Sequence, residues 1–206
     1  MMQRAGTEPI NSGEWARFMA SPADYAKPQR LAVCFDGAIS EAACERLLRT
    51  ERLRTRLSTL LLEHYQLSGS AESVGEIDQI IAPATSEDLE EIALRAGAIY
   101  WADSFAGIIL GHKAAALHEA LGEEVCAFAV ANRDLAGREQ PLDSVQSIRE
   151  RVLADGRRCL GAWCHAAPTA IGGRVRLKLQ SDELIDGVVV PPFAEIGPAI
   201  VRRAAG

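Results

Sequence analysis

Three groups of residues in this sequence are of types that can do chemistry. The first is Cys159-Leu160-Gly161-Ala162-Trp163-Cys164-His165. Covalent haem attachment needs Cys-x-x-Cys-His, and here four residues separate the cysteines, so the spacing speaks against haem. The expected role is that of buried helix cysteines, because a free thiol packs as a small apolar group. The second group is Cys164, His165, His112 and His118. No pair among them has the compact two-plus-two spacing of a zinc site. His112 and His118 are six apart and fall on different faces of a helix. No metal is expected. A small thiol-dependent enzyme using Cys159, Cys164 and His165 would need a thiolate activated by a base and a third, orienting group. The sequence has no Gly-x-Ser-x-Gly, no phosphate-cradling glycine loop and no dinucleotide fingerprint. No catalytic residue is assigned and no cofactor is expected.

The third group is Arg46, Arg49, Arg52, Arg54 and Arg56. On a continuous helix, Arg46, Arg49, Arg52 and Arg56 fall near one face. That face reads as a solvated surface with ion pairs to Glu45 and Glu51, or as a docking surface for an acidic partner. Charge limits the partner. Lys and Arg number 22 against 28 Asp and Glu, a formal net charge of −6. An acidic chain gains little from displacing counterions on phosphates, so no nucleic-acid partner is expected. Tyr100, Trp101 and Phe105 read as core more than as interface.

The elements that must carry these groups follow from composition and periodicity. A chain of 206 residues suits a single domain. It contains 34 Ala and 21 Leu, and its aromatic content is 5%, so a mainly α fold is expected. No run of 18 uncharged apolar residues is present, which argues against a membrane-spanning helix. Without an apolar leader, five irregularly spaced cysteines read as reduced cytosolic thiols. Residues 1–14 are polar and expected to be loose. One helical domain then covers 15–206, with an irregular but ordered arm over 15–39 and a helical body over 40–206. The arm contains Pro22 and Pro28, which forbid a long helix, and should lay Phe18, Tyr25 and Leu31 on the body.

In the body, Ser40 caps a helix expected to run to about Leu67, and residues 68–76 form a loop. A short apolar piece, Ile77–Ala82, ends at Pro83. Thr85 or Ser86 caps the next helix, whose first turns hold four carboxylates. A further helix is expected from Lys113 to Leu135, weakened at Gly122. Another should open at Pro141 with Val145, Ile148 and Val152 inward. A short helix through Cys159, Leu160 and Trp163 stops before Pro168. Arg174 to Leu179 alternates charge and hydrophobe, leaving both a short strand and a helical turn open. A last helix follows Pro191 and Pro192. The expected fold is a compact multi-helix single domain, with room for a short strand or hairpin near the C-terminus.

Two segments carry a resemblance. Phe18-Met19-Ala20-Ser21-Pro22-Ala23-Asp24-Tyr25-Ala26-Lys27-Pro28-Gln29-Arg30-Leu31 resembles the N-terminal signature of the SctK (YscK) family of type III secretion proteins. In that signature a Phe and a Pro-Ala-x-Tyr lead to a Pro and a Leu, here Phe18, Pro22, Asp24, Tyr25, Pro28 and Leu31. Leu94-Arg95-Ala96-Gly97 and Leu117 to Ala129, with its Ala-Leu-Gly-Glu step before Phe128-Ala129, are similar to the family's central helices. Arg174 to Leu179 is similar to a basic-apolar segment near its C-terminus. The Gly-rich Ile171-Gly172-Gly173 and the Pro-Pro tail depart from the family pattern. The resemblance implies a non-enzymatic accessory protein of the injectisome on the cytoplasmic face of the inner membrane. It would bridge the cytoplasmic domain of the membrane ring protein to the pod subunit of the sorting platform, peripheral to the membrane through those partners. The alternatives are a helical chaperone or assembly factor of the same composition, or a small thiol-dependent enzyme.

Overall fold

The computed structural model describes residues 12–67, 74–108, 111–142 and 147–206. Residues 1–11 of the expected loose terminus, most of the 68–76 loop, and Ile109, Leu110 and Val145 lie outside the described residues. Thirteen α-helices follow in order among those described: α1 Ser12–Ala20, α2 Pro28–Val33, α3 Glu41–Arg49, α4 Arg54–His64, α5 Glu76–Ile81, α6 Ser86–Tyr100, α7 Ala102–Ala106, α8 Gly111–Leu121, α9 Glu123–Ala131, α10 Ile148–Ala166, α11 Thr169–Lys178, α12 Glu183–Asp186 and α13 Phe193–Ala205. Single 3-10 turns span Pro22–Asp24, Glu51–Leu53 and Arg133–Leu135. The described residues contain no strand. No described helix is long and apolar enough to cross a membrane.

The fold is organised around α10, which packs against α6, α11, α12 and α13. At the α6–α10 crossing, Ala93 and Gly97 face Val152 and Gly156. Each pair is four residues apart, so the small residues share one face. The backbones touch there. A Cβ built on Gly97 would stand 1.9 Å from the Val152 carbonyl oxygen, and one on Gly156 would stand 1.7 Å from that of Ala93. Around this crossing lies the larger core, with Leu89, Ile99, Trp101, Trp163, Ile171 and Ile200 buried. Both buried tryptophans have their indole N–H groups satisfied, as burial requires. Trp101 Nε1 donates to Asp155 at 2.8 Å and Trp163 Nε1 to Asp78 at 2.8 Å. Asp78 also accepts from Arg202 Nε and Nη2 at 2.8 and 3.0 Å, tying α5, α10 and α13 together. A second, smaller core holds Leu31, Cys44, Leu57, Leu61 and Leu67 under the arm, and Leu177 of α11 reaches into it.

Several expected elements differ in detail. The arm is ordered, and its two prolines start short helical pieces instead of ending helix altogether. The helix expected over 40–67 is two helices, α3 and α4, with Thr50 extended between them. The apolar stripe explains the break. Leu48 and Leu57 are nine residues apart, half a turn out of phase, and only a bend lets both face one core. The helix expected over 113–135 breaks at Gly122, whose φ of +92° is open to glycine at little cost. No helix opens at Pro141; α10 begins at Ile148. The short piece through Cys159 and Trp163 is the C-terminal half of α10, and Arg174–Lys178 is helical, part of α11. Thr85 caps α6 in a reciprocal capping box with Asp88.

Candidate docking surfaces and the arm-locking node

The arm is fixed by buried cations. Arg174 and Lys178 are four apart on α11 and are 4% and 3% exposed. Charges this deep need partners. Neither forms an ion pair among the described residues; main-chain carbonyls take their place. Arg174 Nε donates to Met19 O at 3.0 Å, and its Nη1 donates to Leu67 O at 2.8 Å and Ala170 O at 2.7 Å. Lys178 Nζ donates to Ala82 O at 2.7 Å and Ala84 O at 2.6 Å. Its ammonium also lies 4.7 Å from the Phe18 ring centroid and 5.1 Å from that of Tyr25. Burial pushes the Lys178 amine down to about 7, against the smaller opposing pull of Glu14 and Asp88. Arg30 completes the node: Nε donates to Leu179 O, Nη2 to Gln180 O, both at 3.1 Å, and Nη1 pairs with Asp186 at 2.9 Å.

The arm-motif residues cluster at this node. Phe18, Pro22 and Leu31 are buried, and Tyr25 and Pro28 are partly so. Tyr25 stacks on Phe18 with centroids 5.6 Å apart, and its hydroxyl donates to Phe18 O at 2.8 Å. Asp24 alone of the six is exposed; it faces Arg54 of α4 at 3.7 Å. The motif therefore fastens the arm. Tyr25→Ala is expected to lower stability by about 3 kcal/mol, the scale of truncating an aromatic that is largely covered. An unchanged urea-unfolding midpoint would show that the arm contributes nothing to the fold.

Arg46, Arg49, Arg52 and Arg56 are all exposed. They are spread over α3, the 3-10 turn and α4, because the bend at Thr50 divides the helix on which they would share a face. Arg49 pairs with Glu45 at 2.6 Å, an exposed i,i+4 pair of small energetic weight. Arg46, Arg52 and Arg56 have no side-chain partner among the described residues, and the Arg49–Glu45 and Arg54–Asp24 pairs are the ion pairs of this region.

The thiol and histidine groups are not assembled into a reactive centre. Cys159 and Cys164 are buried, and burial pushes both thiols well up, which opposes the thiolate a nucleophile needs. His165 is exposed, as are His112 and His118. Among the described residues no group of three or more His, Cys, Asp or Glu is placed to hold a metal ion. Sequence reasoning missed the Arg30–Arg174–Lys178 node. The available signal was the four-residue spacing of Arg174 and Lys178, which on a helix puts both on one face.

The helical body thus uses buried cations to fix an arm and turns Arg46, Arg52 and Arg56 to solvent. Residues 16–196 match the family described as YOP proteins translocation protein K (YscK), and the chain belongs to that family of type III secretion components. The chain is 29% identical over 152 residues to the nodulation protein NolU of Rhizobium fredii, an alignment covering 74% of this chain and 69% of NolU. The nodulation protein NolU of Sinorhizobium fredii (strain NBRC 101917 / NGR234) matches to the same extent. No solved structure matched at a significant level.

Proposed function

We propose that this protein is an adaptor of a type III secretion system. It bridges the cytoplasmic domain of the inner-membrane ring protein to the pod subunit of the sorting platform, at the cytoplasmic face of the inner membrane. Family membership supports the setting. The observation that carries the docking role is the exposed set Arg46, Arg49, Arg52 and Arg56 on a scaffold whose neighbouring arm is held by Arg174 on Met19 O, by Arg30 on Leu179 O and by Lys178 against the Phe18 and Tyr25 rings. A bridge must hold its surfaces at fixed separation, and the node couples the α2–α4 layer carrying these arginines to the α10–α11 body. Exposed charges of one sign steer and orient an oppositely charged partner.

The test is chromatography with light scattering on the chain mixed with the pod subunit from the same operon. The unmodified chain should give a joint peak. The quadruple variant R46E/R49E/R52E/R56E should weaken the complex by about tenfold or more while leaving the unfolding midpoint within about 0.5 kcal/mol of the parent. Two separate peaks for the unmodified chain at micromolar concentration would overturn the pod assignment. A joint peak undiminished in the variant would overturn the arginine face. Binding to secreted substrates without the pod subunit would favour the chaperone reading instead.

A further inference from the structure

A cleft of about 340 Å³ opens where α2, the end of α4, α10, α11 and α12 meet, and none of Arg46, Arg49, Arg52 and Arg56 lines it. Its polar lining includes Arg176, Arg30, Asp186, Tyr65, His165 and Thr169. Most of these groups are already engaged. Arg30 spends its donors on Leu179 O, Gln180 O and Asp186. The Asp186 carboxylate also accepts from the Ser181 hydroxyl and the Asp182 amide. The Tyr65 hydroxyl donates to Arg30 O at 2.8 Å.

Arg176 is the exception. Its Nε and Nη2 are sheltered from solvent and have no acceptor, the one such case among buried side-chain polar atoms of the described residues. Its neighbours on the same helix, Arg174 and Lys178, are both satisfied by carbonyls. A buried donor without an acceptor is rare and calls for an explanation, of which an acceptor brought by a ligand is one. Nε and Nη2 form the side edge of the guanidinium, two parallel donors whose spacing matches the two oxygens of a carboxylate. Arg176 lines the cleft and its side chain is only partly buried, and a ligand there would meet that edge once the last torsions turn it toward the opening. Exposed Thr169 and His165 add polar groups at the mouth, while Leu67, Leu177 and Gly173 offer apolar wall for the methylenes of a longer acid.

We propose that this cleft is a carboxylate-binding site that receives a glutamate side chain presented by a protein partner. Arg176 grips the carboxylate in two parallel hydrogen bonds, and the leucine wall packs the side-chain stem. The site is distinct from the α3–α4 face, and neither assignment depends on the other.

The experiment uses the full chain, labelled with nitrogen-15, and follows the Arg176 Nε–H resonance. The probe is the tripeptide acetyl-Gly-Glu-Gly-amide, with its Gln counterpart as the uncharged match. The Glu peptide should shift the Arg176 signal saturably; read at the backbone amides of Gly173 and Leu177, which parent and variant share, the Gln peptide and the R176Q variant should each weaken binding by about tenfold or more. Equal shifts from the Glu and Gln peptides would overturn the proposal, as would no saturable shift up to about 20 mM, well above the millimolar range of a weak site. Inorganic phosphate is the third arm. Saturation by phosphate but not by the Glu peptide would make this a free-oxyanion site and overturn the peptide assignment. R176Q removes donors that have no internal acceptor, so its unfolding midpoint should match or exceed the parent's. A clear fall would make Arg176 a structural residue and overturn the proposal.

Discussion

Gly156→Ala is expected to destabilise the chain by more than about 3 kcal/mol, and Gly97→Ala by a similar amount. In ordinary overpacking a side chain shifts to make room. Here the atoms in the way are backbone: the Ala93 carbonyl oxygen 1.7 Å from a Cβ on Gly156, and the Val152 carbonyl oxygen 1.9 Å from a Cβ on Gly97. Neither oxygen can move without parting α6 from α10. Separating them opens the larger core around Ile99 and Trp163, so the clash is converted into lost packing. Gly111→Ala is the matched control. It makes the same chemical change where, among the described residues, nothing lies within 4 Å of the new Cβ. Its effect should stay within about 0.5 kcal/mol, as for surface substitutions. Urea-unfolding midpoints of the three variants check both statements, and equal midpoints would show that the α6–α10 contact tolerates separation.

The second large effect concerns pH. Lys178 is held down to about 7 in the folded chain, chiefly by burial, against an ordinary value of 10.5. Between those two values the unfolded chain binds the proton that the folded chain has released. Stability therefore rises with pH through that window, and the cost of the buried cation is fully present below pH 7. The amine stays hydrogen-bonded when neutral, because its two remaining N–H groups suffice for Ala82 O and Ala84 O. Other groups oppose the trend at high pH. Burial raises the thiols of Cys34, Cys44, Cys126, Cys159 and Cys164 and the hydroxyl of Tyr25. Each of these ionises first in the unfolded chain and so subtracts stability as pH climbs. The quantity to read is thus the difference between the parent and Lys178→Met, in which those shared contributions cancel. Relative to the parent, Lys178→Met should be most favourable below pH 7 and lose on the order of 4 kcal/mol of that advantage by pH 10. A difference that is flat with pH would show that the Lys178 amine keeps its ordinary acidity. Because the same amine faces Phe18 and Tyr25, the slope also reports on the docking of the arm.

Much of this was written locally in the chain. The Ala- and Leu-rich composition selects helix, since these residues lose little on entering one. Thr85 with Asp88 three residues later starts α6, and Ser40 starts α3, because a cap needs only its own side chain and the next turn of backbone. The arm, expected to lay Phe18, Tyr25 and Leu31 on the body, buries Phe18 and Leu31 and covers Tyr25 in part. The break at Thr50 is legible in the half-turn phase slip between Leu48 and Leu57, though the good helix formers around it favour one continuous helix. Gly122 stood in a helical pattern as a weak point, and only its φ of +92° shows that the chain turns there.

What the sequence left undetermined is every relation between residues far apart in the chain. Alternation in Arg174–Leu179 is compatible with strand or helix, and the choice is made by carbonyls at Met19, Leu67, Ala82 and Ala84 that burial forces to find donors. Gly97 and Gly156 look like helix weakeners until their backbones are seen to meet. Arg176 sits between Arg174 and Lys178 in one alternating basic-apolar run, and only tertiary packing shows that its two neighbours are satisfied while it is not. Local hydrogen bonding and propensity act over a few residues and can be read from order alone. Desolvation acts on whatever the fold brings together, so the node, the tight crossing and the carboxylate cleft exist only in three dimensions.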